Sequence, residues 1–223
     1  MTDVSFKGHP FRIQEGKVHP AYSIACFTED EAPFRDKYWN IQPGDVVVDA
    51  GASYGAYTLT ALAAGAKVYA FEPEPTVAVD LRRNVELNGW EDRCAVLELA
   101  LSDQEQLIDM RLTAPHWPAQ TISRPYHAER LDAVLDVGGL ERIDWVKIDT
   151  EGNEVDVLRG AAEALSKFHP VCIIECHVFL DAALTDRCRE LLQSYGYDHF
   201  EFVQRPPCEM LIGKQRWLEQ ETP

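Results

Sequence analysis

Short apolar runs alternate along the chain with longer segments whose apolar residues recur every three or four positions. That alternation predicts an α/β fold, a mostly parallel sheet with helices on both faces. Five runs read as strands: DVVVDAG at 45–51, KVYAFEP at 67–73, AVLELALSD at 95–103, DWVKIDTEG at 144–152 and VCIIECH at 171–177. Each closes on acidic, Gly or His residues. Helices are expected at 57–65 and at 76–89, where Val77, Leu81, Val85 and Leu87 form an apolar stripe and Gly89 supplies the left-handed stop. Two more are expected at 154–168, with Val155, Leu158, Ala162 and Leu165 in phase, and at 186–196. The tail, YDHFEFVQ then CEMLIG around Pro206-Pro207, reads as a hairpin that finishes the sheet with an antiparallel strand.

Two stretches break the alternation. Residues 1–43 mix aromatic and polar positions ahead of the first central strand and are read as an N-terminal extension, a lid or an extra edge. Residues 104–126 carry three prolines and are read as an insertion over the rim of the sheet. The remainder, 44–223, is expected to be one domain, since 223 residues with 46 % hydrophobic content suit a single large core.

Charge narrows the partners. Lys and Arg total 21 against 37 for Asp and Glu, a formal net charge of -16, so nucleic acid and anionic membrane would be repelled. The first residues lack a signal-peptide pattern, and no run approaches the roughly 20 apolar residues of a membrane span. A soluble, cytoplasmic protein acting on a small molecule is the expectation, and a homodimer is compatible with it. Six cysteines without a C-x-x-C pair read as reduced, mostly buried thiols rather than disulfides or a zinc site.

The stretch Gly51-Ala52-Ser53-Tyr54-Gly55 fits two chemistries. As G-x-S-x-G it is a hydrolase nucleophile elbow, with Ser53, Asp149 and His177 in the order such a triad needs. Too few strands precede it for that fold, and no oxyanion loop lies upstream. As a D-x-G-x-x-x-G loop leaving a buried strand it holds a nucleotide-like ligand, and the next strand should then end in an acid about 20 residues on. Glu72 stands there. The loop lacks the G-x-G-x-x-G spacing that seats a pyrophosphate, so a phosphate-free ligand, S-adenosylmethionine, fits better. Asp49 then orients the loop and faces the ammonium, and Gly51 allows close approach. Ala52, Ser53 and Tyr54 meet the aminoacyl end, Gly55 closes the turn, and Glu72 takes the ribose. Adenine is expected near Pro73 and the segment Ala100, Leu101, Ser102 and Asp103.

Taken together, DAGASYGAYT, AFEPEP, L-x-x-N-x-x-L-N-G at 81–89, ALSD at 100–103, R-L-D at 130–132, VKIDTEGNEVDVLRGA and IIECH make residues 45–180 resemble the FkbM family of S-adenosylmethionine-dependent methyltransferases. The resemblance implies a class I methyltransferase fold, Rossmann-like, and O-methylation of hydroxyls on natural products, sugars or related metabolites. It departs from the family at Ser53-Tyr54, where members often carry Asn and an aliphatic residue, which changes the polar contacts of the loop.

In a class I sheet Asp149 and Glu151, and Glu175 and His177, would converge on the ligand-binding rim, each pair two residues apart on one side of its strand. Methyl transfer is an in-line displacement, so the protein's tasks are positioning and proton removal. His177 is the candidate general base, with Asp149 and Glu151 beside it, and Asp149 also borders the cofactor. The alternative is a divalent cation, magnesium by its oxygen ligands, held by Asp149, Glu175 and His177. Lys147 reads as a partly buried partner of a carboxylate or a substrate contact. Tyr38, Trp39, Trp117 and Tyr126 read as acceptor-pocket walls or packing. N-methylation, methylation of a macromolecule, a serine hydrolase using Ser53, and a noncatalytic S-adenosylmethionine-binding protein are the competing functions.

Overall fold

The structure, a computed structural model, describes residues 1–17, 20–28, 32–109, 125–138 and 140–215. Trp117, read as a pocket wall or as packing, lies outside them. The chain sorts into two compact units, residues 1–99 with 109–126 and residues 100–108 with 127–223. The division falls inside the run expected as one strand at 95–103.

The first unit opens with β1 (Thr2–Phe6) and β2 (His9–Ile13), an antiparallel hairpin forming its own two-stranded sheet, followed by α1 (Pro20–Thr28) and α2 (Ala32–Tyr38). Then come β3 (Val46–Ala50), α3 (Ala56–Ala63), β4 (Lys67–Phe71), α4 (Pro75–Leu87) and β5 (Cys94–Leu97). The strands β3, β4 and β5 pair in parallel, with Ala50 opposite Phe71 and Phe71 opposite Leu97. Val47, Val48, Leu59, Leu62, Val68 and Leu81 are fully buried and form this unit's core. Burial of each such side chain contributes about 1.5–3 kcal/mol.

Helix α4 buries two faces. Val77, Leu81 and Val85 face the core as their spacing predicts, but Asp80 and Asn84 are buried as well. Asp80, Asn84 and Asn88 stand four residues apart, on one side of the helix. Their side chains accept from the backbone N–H groups of Lys17 (2.7 Å), Gln14 (2.7 Å) and Arg12 (2.8 Å) respectively. The N-terminal segment is thus fastened to α4 by its backbone. Gly16 lies on the ring of Tyr54, so close that a Cβ there would stand 2.4 Å from Tyr54 Cε1.

The second unit contains β6 (Ala100–Leu101), β7 (Gln106–Asp109) except its last residue, β8 (Pro125–Glu129) from His127 on, α5 (Leu131–Gly138), β9 (Trp145–Ile148), α6 (Glu154–Gly160), α7 (Ala162–Phe168), β10 (Val171–Cys176), α8 (Leu184–Ser194), β11 (His199–Arg205) and β12 (Cys208–Lys214). The strands β9 and β10 are parallel, and β12 runs antiparallel between β10 and β11, so the terminal hairpin joins the sheet through its second strand. Ile148, Leu158, Leu165, Ile173, Ile174 and Leu192 are fully buried.

Two expectations change here. The run 95–103 is two strands, because β6 takes a different partner: Ala100 pairs with Ala128 of β8, and Ser102 N–H donates to the Glu129 carbonyl. The helix expected at 154–168 is also two. It breaks at Ala161, and the buried Asp132 of the R-L-D motif accepts from the N–H groups of Glu163 (3.0 Å) and Ala164 (2.9 Å), capping α7. At the break Gly160 packs directly on backbone, since a Cβ would stand 1.9 Å from the Ser102 carbonyl oxygen. Among the described residues no helix is long and apolar enough to cross a membrane. All six cysteines are free.

Candidate functional site

In the first unit the loop after β3 is built from backbone groups. Gly51 (φ 77°), Ser53 (φ 50°) and Gly55 (φ 93°) are left-handed, a conformation that costs a non-glycine residue about 1–2 kcal/mol. The N–H groups of Gly51 and Ala52 both donate to the Phe71 carbonyl, holding the loop against the end of β4. Ser53 N–H donates to Glu72 Oε2 (2.8 Å), and Glu74 N–H donates to Glu72 Oε1 (2.8 Å). The Glu72 carboxylate, almost fully buried, is therefore held by a backbone N–H on each oxygen. Asp49 is fully buried and its Oδ2 accepts from Thr58 Oγ1 (2.6 Å), tying β3 to α3. Gly55 caps α3, and a Cβ there would stand 2.4 Å from Leu81 Cδ1.

Beyond Pro73, Glu74 caps α4 through Thr76, and its Oε2 accepts from the Tyr126 hydroxyl (2.6 Å). Tyr126 was read as a pocket wall or as packing; its hydroxyl serves this carboxylate. Trp39 is fully buried edge-on to Tyr57, and Tyr38 stacks against Phe34. Trp39 and Tyr38 thus have ring partners within the first unit.

The second unit holds Leu101 and Ser102, both buried. The Leu101 carbonyl accepts from Asn153 Nδ2 (2.8 Å), and Ser102 Oγ accepts from Gln106 Nε2 (2.9 Å). This unit also gathers the charged residues of the two acidic strand ends. After β9 the chain turns through Glu151 (φ 55°) and Gly152 (φ 105°), both left-handed. His177, 4 % exposed in its side chain, receives carboxylates on both ring nitrogens: Glu154 Oε1 lies 2.8 Å from Nδ1, while Asp149 Oδ1 and Glu151 Oε2 lie 3.6 and 3.4 Å from Nε2. Lys147 Nζ is 3.4 Å from Asp149 Oδ2, and Arg205 donates to Glu175 Oε2 (2.7 Å).

The electrostatics follow from burial and crowding. Burial opposes the charge on His177, but its hydrogen bond to Glu154 and the charges of Asp149, Glu154 and Glu151 outweigh that and raise it to about 9. Glu151 is raised to about 7, by burial first and then by the neighbouring Asp149. Glu175 is raised by burial and by Asp149, with Arg205 and His177 opposing.

Sequence reasoning placed Asp149, Glu151 and His177 together, and their side chains do meet. It missed Glu154, fully buried in the first turn of α6, because an acid there reads as an ordinary helix-start residue. Among the described residues the ligand atoms that come within 4.8 Å of one another are those of Asp149, Glu151 and His177, and those of Glu175, His177 and Cys208. The trio expected for magnesium, Asp149, Glu175 and His177, is split between these groups. The hydrolase triad also meets an obstacle, since both nitrogens of His177 already face carboxylates of its own unit.

Comparison with known proteins bears on the whole arrangement. The methyltransferase FkbM domain profile matches residues 49–198. The 2-O-methyltransferase NoeI of Sinorhizobium fredii is 30 % identical over 151 residues, 56 % of this chain and 61 % of NoeI. Methyltransferase 1 of Beauveria bassiana is 27 % identical over 174 residues, 64 % of this chain and 70 % of that protein. The crystal structure of methyltransferase FkbM from Methylobacillus flagellatus superposes with a TM-score of 0.63 at 17 % identity, over 81 % of this chain and 46 % of that one. Precorrin-6y C5,15-methyltransferase from Geobacter metallireducens superposes at 0.53 and 14 % identity, over 92 % and 94 %. The chain thus spans about three fifths of NoeI and under half of the solved FkbM chain. The fold is the class I methyltransferase fold, as expected. With the family profile covering most of its length, the chain belongs to the FkbM methyltransferase family.

Proposed function

We propose that this protein transfers a methyl group from S-adenosylmethionine to a hydroxyl of a small molecule. The observation that carries the donor half is the Glu72 carboxylate, buried and pinned by the N–H groups of Ser53 and Glu74 at the end of β4. So placed, it accepts from vicinal ribose hydroxyls, while Gly51 keeps the loop free of side-chain bulk for the aminoacyl end. Asp49, Ala52, Tyr54, Gly55 and Pro73 shape that cradle. The donor supplies a methyl already activated by its sulfonium. The chain's own contribution is to hold it, and to take a proton from an acceptor alcohol that is a poor nucleophile until deprotonated.

Oxygen is favoured as the accepting atom by the name of NoeI, a 2-O-methyltransferase, and by the carboxylate-rich surroundings of His177. The net charge of -16 favours a small acceptor over nucleic acid. The reaction is assigned to protein groups rather than magnesium, because the trio expected for that ion is split between two groups of ligand atoms. The test is calorimetry with S-adenosylhomocysteine, followed by methyl transfer from labelled S-adenosylmethionine to hydroxyl, amine and RNA acceptors, with and without EDTA. Binding, hydroxyl methylation and indifference to EDTA are expected. A wild-type protein that binds no S-adenosylhomocysteine would overturn the reading.

A further inference from the structure

The second unit surrounds one imidazole with three carboxylates. Glu154 is fully buried, and its Oε1 accepts from the N–H groups of Thr150 (3.3 Å) and Gly152 (3.0 Å) besides lying 2.8 Å from His177 Nδ1. One oxygen therefore fixes both the turn that carries Glu151 and the ring that faces it. On the far side of the ring, Nε2 faces Asp149 and Glu151. A neutral imidazole has one donor nitrogen and one acceptor nitrogen, and an acceptor lone pair aimed at two carboxylate oxygens is repelled by them. Only an imidazolium presents an N–H and a positive charge on both sides, hydrogen-bonded to Glu154 through Nδ1 and at ion-pair distance from Asp149 and Glu151 through Nε2.

We propose that Glu154 holds His177 as an imidazolium that positions Asp149 and Glu151, and that Glu151 rather than His177 takes the proton from the acceptor hydroxyl. This rests on the methyl transfer proposed above. His177 and Glu154 are positioning residues. The other charged groups here sort accordingly: Lys147 neutralises Asp149, Arg205 neutralises Glu175, and the buried Cys208 thiol is raised by burial and by Glu175 and stays protonated. His177 Nε2 stands 3.4 Å from Glu151 Oε2. Glu151 also keeps 27 % of its side chain exposed, so it can reach an acceptor and return its proton to water. Burial and Asp149 bring it to about 7, the range in which a base both accepts and releases protons at neutral pH. In the step, the acceptor O–H bond breaks and its proton goes to the Glu151 carboxylate. The oxygen lone pair forms the new O–CH3 bond as the C–S bond breaks, its electron pair stays on sulfur, and S-adenosylhomocysteine leaves neutral at that atom.

The test begins with the full chain labelled with 15N-histidine, whose ring nitrogens report tautomer and charge, His177 being assigned by the signal lost in His177→Gln. At pH 7.5 both nitrogens should be protonated, and in Glu154→Gln the ring should become neutral. A neutral His177 in the wild type overturns the proposal without need of any acceptor. The second arm uses S-adenosylmethionine and a panel of sugar and phenol hydroxyls. There Glu151→Gln should lower kcat by about 100-fold or more, with Glu151→Asp recovering part of the loss and the donor KM nearly unchanged. A Glu151→Gln enzyme of near wild-type kcat overturns the base assignment. No wild-type turnover on any hydroxyl sinks the methyl-transfer reading and the base assignment with it, while the spectrum still judges the imidazolium.

Discussion

The loop at 51–55 leaves β3 through left-handed Gly51, Ser53 and Gly55, and the loop at 149–152 leaves β9 through left-handed Glu151 and Gly152. Each accepts one non-glycine residue in a conformation that costs about 1–2 kcal/mol. The two loops put that strain to different use. Ser53 turns its backbone N–H onto Glu72, so the first loop uses main-chain donors and is indifferent to the side chain at the strained position. Glu151 turns its carboxylate onto His177, so the second loop uses the side chain itself. A cradle for a fixed ligand is made by shaping backbone, whereas a proton-handling centre is made by crowding charges. The two should break in different ways.

The sharpest break is in the backbone loop. Gly55→Ala adds a Cβ at φ 93° and drives it toward Leu81, so it should cost about 2–4 kcal/mol in urea unfolding. Next comes Glu72→Ala, which removes the latch and the ribose acceptor together. It should weaken S-adenosylhomocysteine by roughly 10–100-fold in calorimetry while leaving the His177 spectrum unmoved, each charge-assisted hydrogen bond being worth about 1.5–3 kcal/mol.

The charge cluster should show itself in pH. His177 is raised from 6.5 to about 9, so the folded state holds its proton more tightly than the unfolded chain does. Its contribution to stability is complete below pH 6.5 and is lost as pH rises through 9. Glu151, raised from 4.5 to about 7, has the same sign, with its contribution complete below 4.5 and lost through 7. Denaturation midpoints should therefore fall across this range, and His177→Gln should flatten the upper part. For activity, kcat should rise as Glu151 ionises near pH 7 and fall again near 9 as the imidazolium is lost. A single rise near 9 would return the base role to His177. The smallest effect is expected from Ser53→Ala, which leaves the N–H in place and should change cofactor affinity by less than about 3-fold.

The sequence was most readable where period and punctuation carry the information. Strand runs ending in Asp49, Glu72, Asp149 and His177 were visible because a buried parallel strand must be apolar and its end must not be. The split of 95–103 was not visible, because the change of partner from β4 to β8 leaves no mark in an apolar run. Nor was the break after Gly160, a residue that packs on the Ser102 carbonyl, distant in sequence. In the charge cluster the participants at spacing two were legible, but Glu154 was hidden by its position in a helical first turn. The reassignment of His177 needed distances to both ring nitrogens, which spacing does not encode.

The side chains of Asp80 and Asn84 in α4, and of Asn88 just past its end, grip Lys17, Gln14 and Arg12 by their amide groups. Isotope exchange at these three amides should therefore be slow for a connecting segment and should speed up one at a time in Asn88→Ala, Asn84→Ala and Asp80→Ala. The same arrangement makes the segment around Gly16 a natural place for a reporter. A dye on a cysteine introduced at Gln14 would ride beside the Tyr54 loop while the backbone hold on that segment stays in place, and would signal when that loop is filled.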